Sequence, residues 1–317
     1  MSATVGLVGA RGHVGGELVR LLADHPELVL TRAASRQGVG SRLAALFPAA
    51  PAEVVIEDGS PEAVAAWPVD VVVLALPNDH APAYAKLLNT QRIVDLSADH
   101  RFDDGWAYGL PELHRARISG ARRIANPGCY ATGVQLGVAP AIPLLAGPPQ
   151  VFGVSGYSGA GTTPGPRNDP DRLRDNLMAY ALTGHVHERE ATRHLGHPVR
   201  FVPHVAAFFR GISLTITLPL ARPDTRAGLI ERYRGAYANE PLVRVIEDIP
   251  EVQAAAGRLD VTIGGFAVDG THAVVVVTLD NLLKGAASQA LQNINLSLGL
   301  PELCGLTSRP SGPDRTP

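Results

Sequence analysis

The sequence predicts an α/β protein of two domains: a doubly wound parallel sheet, then an α+β domain whose sheet is mixed and largely antiparallel. Three observations carry this prediction. Strand-type runs alternate with helix-type segments up to about residue 125, and the run 69–77 is apolar almost throughout, as a strand buried on both faces must be. Beyond residue 199 the strands change character, and 212–220 and 259–263 alternate with period two. A chain of 317 residues also exceeds what one small core organises. An apolar content of 45% with a formal charge of −2 suits a globular protein and offers no electrostatic footprint for nucleic acid. No apolar run is long enough to span a bilayer, and no basic-then-apolar leader is present, so no membrane partner is expected. Two cysteines make no disulfide framework, and the reducing cytoplasm is the expected compartment.

Residues 4–8 form a short strand that leads into Gly9-Ala10-Arg11-Gly12-His13-Val14-Gly15, then an amphipathic helix over 17–22. In that setting the glycines let the backbone approach a pyrophosphate, and N–H groups at the helix start face its charge. Gly9, Arg11, Gly12, His13, Val14 and Gly15 are therefore candidate cofactor contacts in a Rossmann-type domain. After the second strand, 28–34, an NAD site places an acid for the ribose diol. This chain has Ser35-Arg36-Gln37 and no acid nearby. Arg36 is a fork suited to a 2′-phosphate, so NADP is the expected cofactor, held there by Ser35 and Arg36. Strand 69–77 ends at Pro77, a further candidate contact, with Asn78-Asp79-His80 just beyond. Such sheets bind ligands at that edge. A helix over 81–88 and a strand from 92 to Ser97 follow, and the polar segments 95–102 and 108–113 read as loops past that strand end.

Pro127-Gly128 marks a turn before Cys129. Residues 133–142 read as a buried helix despite Gly133 and Gly137, which puts Cys129 in its first turn. Unpaired N–H groups and the positive dipole end there favour a thiolate, the form that makes covalent acyl intermediates. A buried, inert thiol is the bland alternative. Residues 151–154 form a strand. The glycine and hydroxyl tract 155–166 suits either anion binding or a flexible linker. From about Val186 the chain is helix-compatible, and His187 then has Glu190 at i+3 to orient it. His185 has Glu188 at i+3, but only if the helix starts by His185. Within a helix the two histidines point to different faces, so at most one serves the thiol. No third ligand at a diagnostic spacing accompanies this pair, and no metal is expected. Strand 199–205 carries Pro203, which suggests an edge or a bulge. A helix spans 225–236. The β-branched run 272–279 reads as buried on both faces, and 282–298 as a helix with Leu291, Ile294 and Leu298 on one stripe. Such a sheet often carries a subunit contact, so a homodimer or homotetramer is expected. The Ser/Pro/Gly-rich tail from Thr307 is expected to be disordered.

A nicotinamide cofactor with an activated cysteine suggests hydride chemistry on a thioester: Cys129 attacks an acyl phosphate, inorganic phosphate leaves, hydride reduces the thioester, and an aldehyde departs. The residues also carry a resemblance. Over nearly the whole chain the sequence resembles the N-acetyl-γ-glutamyl-phosphate reductase family of semialdehyde-dehydrogenase-like enzymes. The motifs are Asn126-Pro127-Gly128-Cys129-Tyr130-Ala131-Thr132, the segments 95–102, 108–112 and 155–161, His204 with Arg210-Gly211-Ile212, and Asp280-Asn281-Leu282-Leu283-Lys284-Gly285-Ala286. The resemblance implies NADPH-dependent reduction of N-acetyl-γ-glutamyl phosphate to the semialdehyde in arginine biosynthesis, with Cys129 as the acyl-thioester nucleophile. It implies an NADP domain over 1–128, a catalytic and oligomerisation domain over 129–281, and a C-terminal helix, about 282–300, packed back on the first. It assigns Ser97, Ser158, Gly159 and Asn281 to the cofactor, and Arg101, Tyr108, Glu112, Asn126, Ser155, Tyr157, His204 and Arg210 to the substrate. Two departures stand out: Arg189 replaces a proline in the family's His-x-His-x-Pro-Glu, and the nucleotide turn carries Arg11 and His13. Relatives that reduce aspartyl or aminoadipyl phosphate are the competing assignment, and a non-enzymatic NADP-binding regulator is a weaker one.

Overall fold

A computed structural model describes residues 2–306. The expected disordered tail from Thr307 lies outside the described residues. The chain divides into two compact units, Met1–Gly128 with Ala286–Leu306, and Cys129–Gly285.

The first unit holds strands β1 (Ala3–Val8), β2 (Leu28–Ala34), β3 (Ile56–Glu57), β4 (Val71–Leu74), β5 (Arg92–Asp95), β6 (Ala107–Tyr108) and β7 (Arg123–Ala125). They form one parallel sheet in the order β3-β2-β1-β4-β5-β7-β6. Winding reverses between β1 and β4, the crevice where doubly wound sheets bind ligands. Every residue of β4 is buried, which is why its sequence shows no alternation. Helices α1 (His13–Ala23), α2 (Pro61–Ala65), α3 (Ala81–Leu87) and α4 (Pro111–Ile118) connect the strands. Segment 108–113 is not a loop: Tyr108 lies in the edge strand β6, and Pro111 opens α4, the helix position where its fixed φ and missing N–H cost nothing. Two residues of strand leave no period to read.

The C-terminal helix, Ser288–Leu298, packs within this unit on α1, α4 and β5. It is not striped. Gln289, Gln292, Asn293 and Asn295 are all fully buried. Their amides bind the fold itself: Asn293 Nδ2 donates to Gly109 O at 2.9 Å and to Asn126 Oδ1 at 2.8 Å, and Asn295 Nδ2 to Cys304 O at 2.8 Å. The helix also begins later than expected. Leu283–Ala287 winds as a π-turn, with Gly285 N donating to Asp280 O five residues back at 2.9 Å.

The second unit is a mixed sheet of β8 (Gln150–Gly156), β9 (Leu177–Ala179), β10 (Arg200–Ala206), β11 (Ile212–Pro219), β12 (Val243–Val245), β13 (Val261–Asp269) and β14 (His272–Leu279). The order is β12-β13-β14-β11-β8-β10-β9, with β12–β13 and β8–β10 parallel and the other pairs antiparallel. Helices α5 (Cys129–Val138), α6 (Pro170–Leu173), α7 (Val186–Leu195), α8 (Arg226–Ala236) and α9 (Val252–Ala255) complete it. α5 lies directly on β11 and β14. A Cβ at Gly133 would stand 2.6 Å from Leu214, and one at Gly137 2.4 Å from Ile216, so the two glycines are what lets this helix seat. α5 stops at Val138 because Pro140 and Pro143 force a 3₁₀ stretch, Ala139–Leu144. Its last carbonyls are satisfied by Tyr237 and Tyr233, whose hydroxyls donate to Leu136 O and Gly137 O, each at 2.5 Å.

Two expectations fail on this sheet. Strand β14 is buried on one face only: Val274 and Val276 are half-buried while Ala273, Val275 and Val277 are not exposed at all. On that second face Phe152 and Thr215 are exposed. Pro203 is not on an edge strand, because β10 lies between β8 and β9. β9, however, pairs only with His204, Val205 and Ala206, so Pro203 falls where that ladder has barely begun.

Candidate active site

Cys129 is the first residue of α5, where the helix's N–H groups and dipole lie. Gly285 backs it: a Cβ there would sit 2.6 Å from Cys129 Cβ. The next residue, Tyr130, is 2% exposed and donates from its hydroxyl to His204 O at 2.6 Å. Burial, reinforced by Tyr180 and by charge on Cys129, drives its pKa far up. Tyr180 follows β9. Burial first, then charge on Cys129, pushes it up to about 12. Both phenols are therefore protonated donors at neutral pH, and both lie in the electrostatic reach of the thiol.

α7 supplies the histidines. It starts at Val186, so His185 is outside it as the N-cap, and His185 Nδ1 accepts from His187 N at 3.1 Å. Burial, with Arg167 next, pushes His185 down to about 4, which makes it a neutral ring. Its possible partner Glu188 is engaged with the backbone, accepting from Phe201 N at 2.8 Å and Gly184 N at 3.3 Å. His187 lies in the first turn with its ring 5.9 Å from that of Tyr130, and Glu190, one turn on, is fully buried. His204 is elsewhere. It alternates with buried Pro203 and Val205, so its ring lies on the opposite sheet face from α5, 4.2 Å from the Phe152 ring and tilted 40° to it.

The assigned cofactor and substrate residues of this unit tie the strand ends together. Asn281 Oδ1 accepts from Gly211 N at 2.7 Å, and its Nδ2 donates to Ser158 Oγ at 2.9 Å. Ser158 and Gly159 lie in a 3₁₀ turn, Tyr157–Ala160. The tract 155–166 is thus anchored at its start, with Tyr157 N and Ser158 N donating to Phe208 O and Phe209 O, both at 3.0 Å. Ser155 is buried. Arg210 donates from Nε to Asp280 Oδ2 at 2.6 Å, and Asp280 is fully buried.

In the first unit, Gly9 has φ +86° and Gly15 would bring a Cβ to 2.6 Å from Gly9 O, so the turn between β1 and α1 admits no side chain at either position. Gly12 caps α1 without a side chain, and Val14 and His13 open the helix. This is a cradle shaped for a pyrophosphate. At the end of β2, Arg36 Nη2 donates to His80 Nε2 at 2.7 Å, and Arg11 Nη1 to Gln37 Oε1 at 3.1 Å. Ser35 is half-buried and Pro77 exposed beside them in the chain. Ser97 caps its own strand end by donating to Asp95 Oδ2 at 3.0 Å. Arg101 donates to Asn126 O at 2.9 Å and Leu96 O at 2.8 Å. Tyr108 is buried, its ring edge-on to His114 at 5.6 Å, and Glu112 lies in the first turn of α4. Sequence reasoning missed Tyr180 and Arg167, which follow no period, and the Arg36–His80 bond, whose partners are 44 residues apart.

A thiol at a helix start in one unit and a dinucleotide cradle in the other define a class, the semialdehyde dehydrogenases. Family models agree: residues 4–121 match the semialdehyde dehydrogenase NAD binding domain, and 129–281 the semialdehyde dehydrogenase dimerisation domain. A solved probable aspartate-semialdehyde dehydrogenase from Pseudomonas aeruginosa shares the fold, with a TM-score of 0.75 at 20% identity over 94% of this chain and 99% of that one. An aspartate semialdehyde dehydrogenase from Candida albicans, solved with NADP, gives 0.71 at 18% identity, also over 94% and 99%. The chain is 54% identical over 309 residues to an N-acetyl-gamma-glutamyl-phosphate reductase from Stenotrophomonas maltophilia, covering 96% of this chain and 98% of that protein. It is 52% identical over 316 residues to one from Xylella fastidiosa, covering 98% and 95%. The chain belongs to the N-acetyl-gamma-glutamyl-phosphate reductase family. No helix among the described residues is long and apolar enough to cross a membrane.

Proposed function

We propose that the chain reduces N-acetyl-γ-glutamyl phosphate to N-acetylglutamate semialdehyde and inorganic phosphate, in arginine biosynthesis in the cytoplasm. The observation that carries the mechanism is Cys129 as first residue of α5, beside Gly285 and the Tyr130–His187 ring cluster. The cradle at Gly9, Gly12 and Gly15 fits a dinucleotide, and Arg36 with Ser35 selects NADP over NAD. Bound NADPH supplies the hydride. Helix N–H groups hold Cys129 as a thiolate, which attacks the acyl carbon while the bond to the phosphate oxygen breaks. The same N–H groups face the oxyanion of the tetrahedral intermediate. His187, oriented by Glu190, gives and takes the proton of these steps. His185 lends its Nδ1 to the helix start and acts as a neutral neighbour. The thioester carbonyl is reduced, the carbon–sulfur bond breaks, and the thiolate returns as the aldehyde leaves.

The enzyme acts as a homodimer or homotetramer joined through the second unit, whose sheet leaves Phe152 and Thr215 exposed and Val274 and Val276 half-buried on the face opposite α5. The decisive assay is phosphate-dependent NADP⁺ reduction. N-acetylglutamate semialdehyde should be oxidised far faster than aspartate semialdehyde, and the opposite order would overturn the substrate assignment.

A further inference from the structure

N-acetyl-γ-glutamyl phosphate carries two anions, the phosphoryl group that leaves and the α-carboxylate that stays. The carboxylate needs a fork of donors that the fold has not already used. Arg101 is 6% exposed and gives its guanidinium to two main-chain carbonyls. Arg210 is paired with the buried Asp280. Arg167 differs from both. It is exposed, and among the described residues it has no carboxylate partner. The acids next to it in sequence are engaged: Asp169 caps α6 by accepting from Asp171 N at 3.0 Å, and Asp171 pairs with Arg174 at 2.5 Å. What holds Arg167 is a ring. Its guanidinium carbon lies 4.8 Å from the centroid of Tyr180, a cation–π seat, and its charge and a hydrogen bond also act on the Tyr180 hydroxyl, which draws arginine and phenol into one donor group.

Tyr180 links this arginine to the chemistry. Its ring is edge-on to His185 at 5.6 Å, and His185 is edge-on to His187 at 4.8 Å. Tyr180 feels both the charge on Cys129 and that on Arg167, and stays protonated between them. We propose that Arg167, with the Tyr180 hydroxyl, forms the subsite that takes the substrate's α-carboxylate and so fixes the acyl chain over Cys129. The proposal rests on the thioester mechanism above.

The test is steady-state kinetics in the phosphate-dependent direction with Arg167→Ala, Arg167→Lys and Tyr180→Phe. Loss of one charge-assisted fork should raise KM for N-acetylglutamate semialdehyde about 10–100-fold in Arg167→Ala, with KM for inorganic phosphate unchanged. Arg167→Lys, which keeps the charge but not the fork, should fall between. Tyr180→Phe keeps the ring and should cost less. The α-carboxamide of the same semialdehyde should be turned over equally by wild type and Arg167→Ala, which also establishes that the variant is folded. A rise in KM for phosphate instead would make this a phosphate subsite and overturn the proposal, as would an unchanged KM for the semialdehyde or an equal loss with the carboxamide. An active Cys129→Ser would sink the thioester mechanism itself. An inactive Cys129→Ser beside a silent Arg167→Ala would remove the carboxylate subsite alone.

Discussion

Cys129 owes its proposed role to position, since the other cysteine, Cys304, lies in the first unit near the chain's end. Cys129→Ser should lower turnover by orders of magnitude while NADPH binding, followed by fluorescence titration, stays intact, and Cys304→Ser should be nearly silent. Wild-type turnover in Cys129→Ser would remove the thioester. The turn signals before Cys129 made this residue legible in the sequence, and so did the spacing of His187 and Glu190. The start of α7 near Val186 was legible too, and what the sequence did not give is the cap, which the structure shows as His185 accepting from His187 N. His187→Asn should cut turnover about 10²–10⁴-fold and flatten one limb of the pH profile. His185 has a different signature. Its folded pKa of about 4 lies below the ordinary value of 6.5, so between those values the unfolded chain binds the proton that the folded ring refuses. The stability tied to a neutral His185 is fully present above about pH 6.5 and is lost as pH falls towards 4. His185→Asn keeps a good N-cap and should melt with a flatter pH dependence over that window. A slope identical to wild type would contradict the buried, neutral ring.

Among the elements, those with long apolar or alternating runs announced themselves, and the shortest did not. β6, β7 and β9 have two or three residues each, too few for a period, and they are defined by the neighbours they pair with. The glycine turn after β1 was legible because its geometry demands glycine. Gly133 and Gly137 looked like faults in a helix until β11 and β14 were seen to press on them. Gly285 belongs with them. Its added Cβ would meet Cys129 Cβ at 2.6 Å and Asp280 O at 3.2 Å, so either the π-turn or the thiol must move. Gly285→Ala should therefore lower kcat with little change in NADPH affinity; unchanged kcat would mean that the π-turn yields freely. At the end of β2 the missing acid is the feature on which the proposed preference for NADP rests. Arg36→Ala should weaken NADPH by roughly 1.5–3 kcal/mol and NADH far less, as one charge-assisted contact to the 2′-phosphate predicts. Equal losses for the two cofactors would show that Arg36 does not meet that phosphate.

For the whole molecule the unresolved quantity in the sequence was which sheet faces stay open. A β-branched run such as β14 reads as buried on both sides whether its second cover is a helix of its own chain or another subunit, because composition records burial and not its source. In the second unit α5 and α8 cover one face, while the other presents Phe152 at 43% exposure with the His204 ring tilted against it, half-buried Val202, Val274 and Val276, and exposed Thr215. We propose that this face carries the subunit contact, since an apolar sheet face of that kind is better covered than left to water. An isologous contact would pair the patch with itself, so one substitution changes the interface twice. Phe152→Asp places a charge at its centre in both copies, where desolvation and like-charge repulsion act together. In sedimentation velocity the wild type should run as a dimer or larger, and Phe152→Asp should shift to a smaller species across a dilution series. Thermal unfolding of the variant should also become less dependent on protein concentration, since stability shared with a partner is lost with the partner. Phe152 points away from α5 and Cys129, so Phe152→Asp should leave NADPH binding unchanged. An unaltered sedimentation profile would mean that the subunits meet elsewhere and that this sheet face is open in solution.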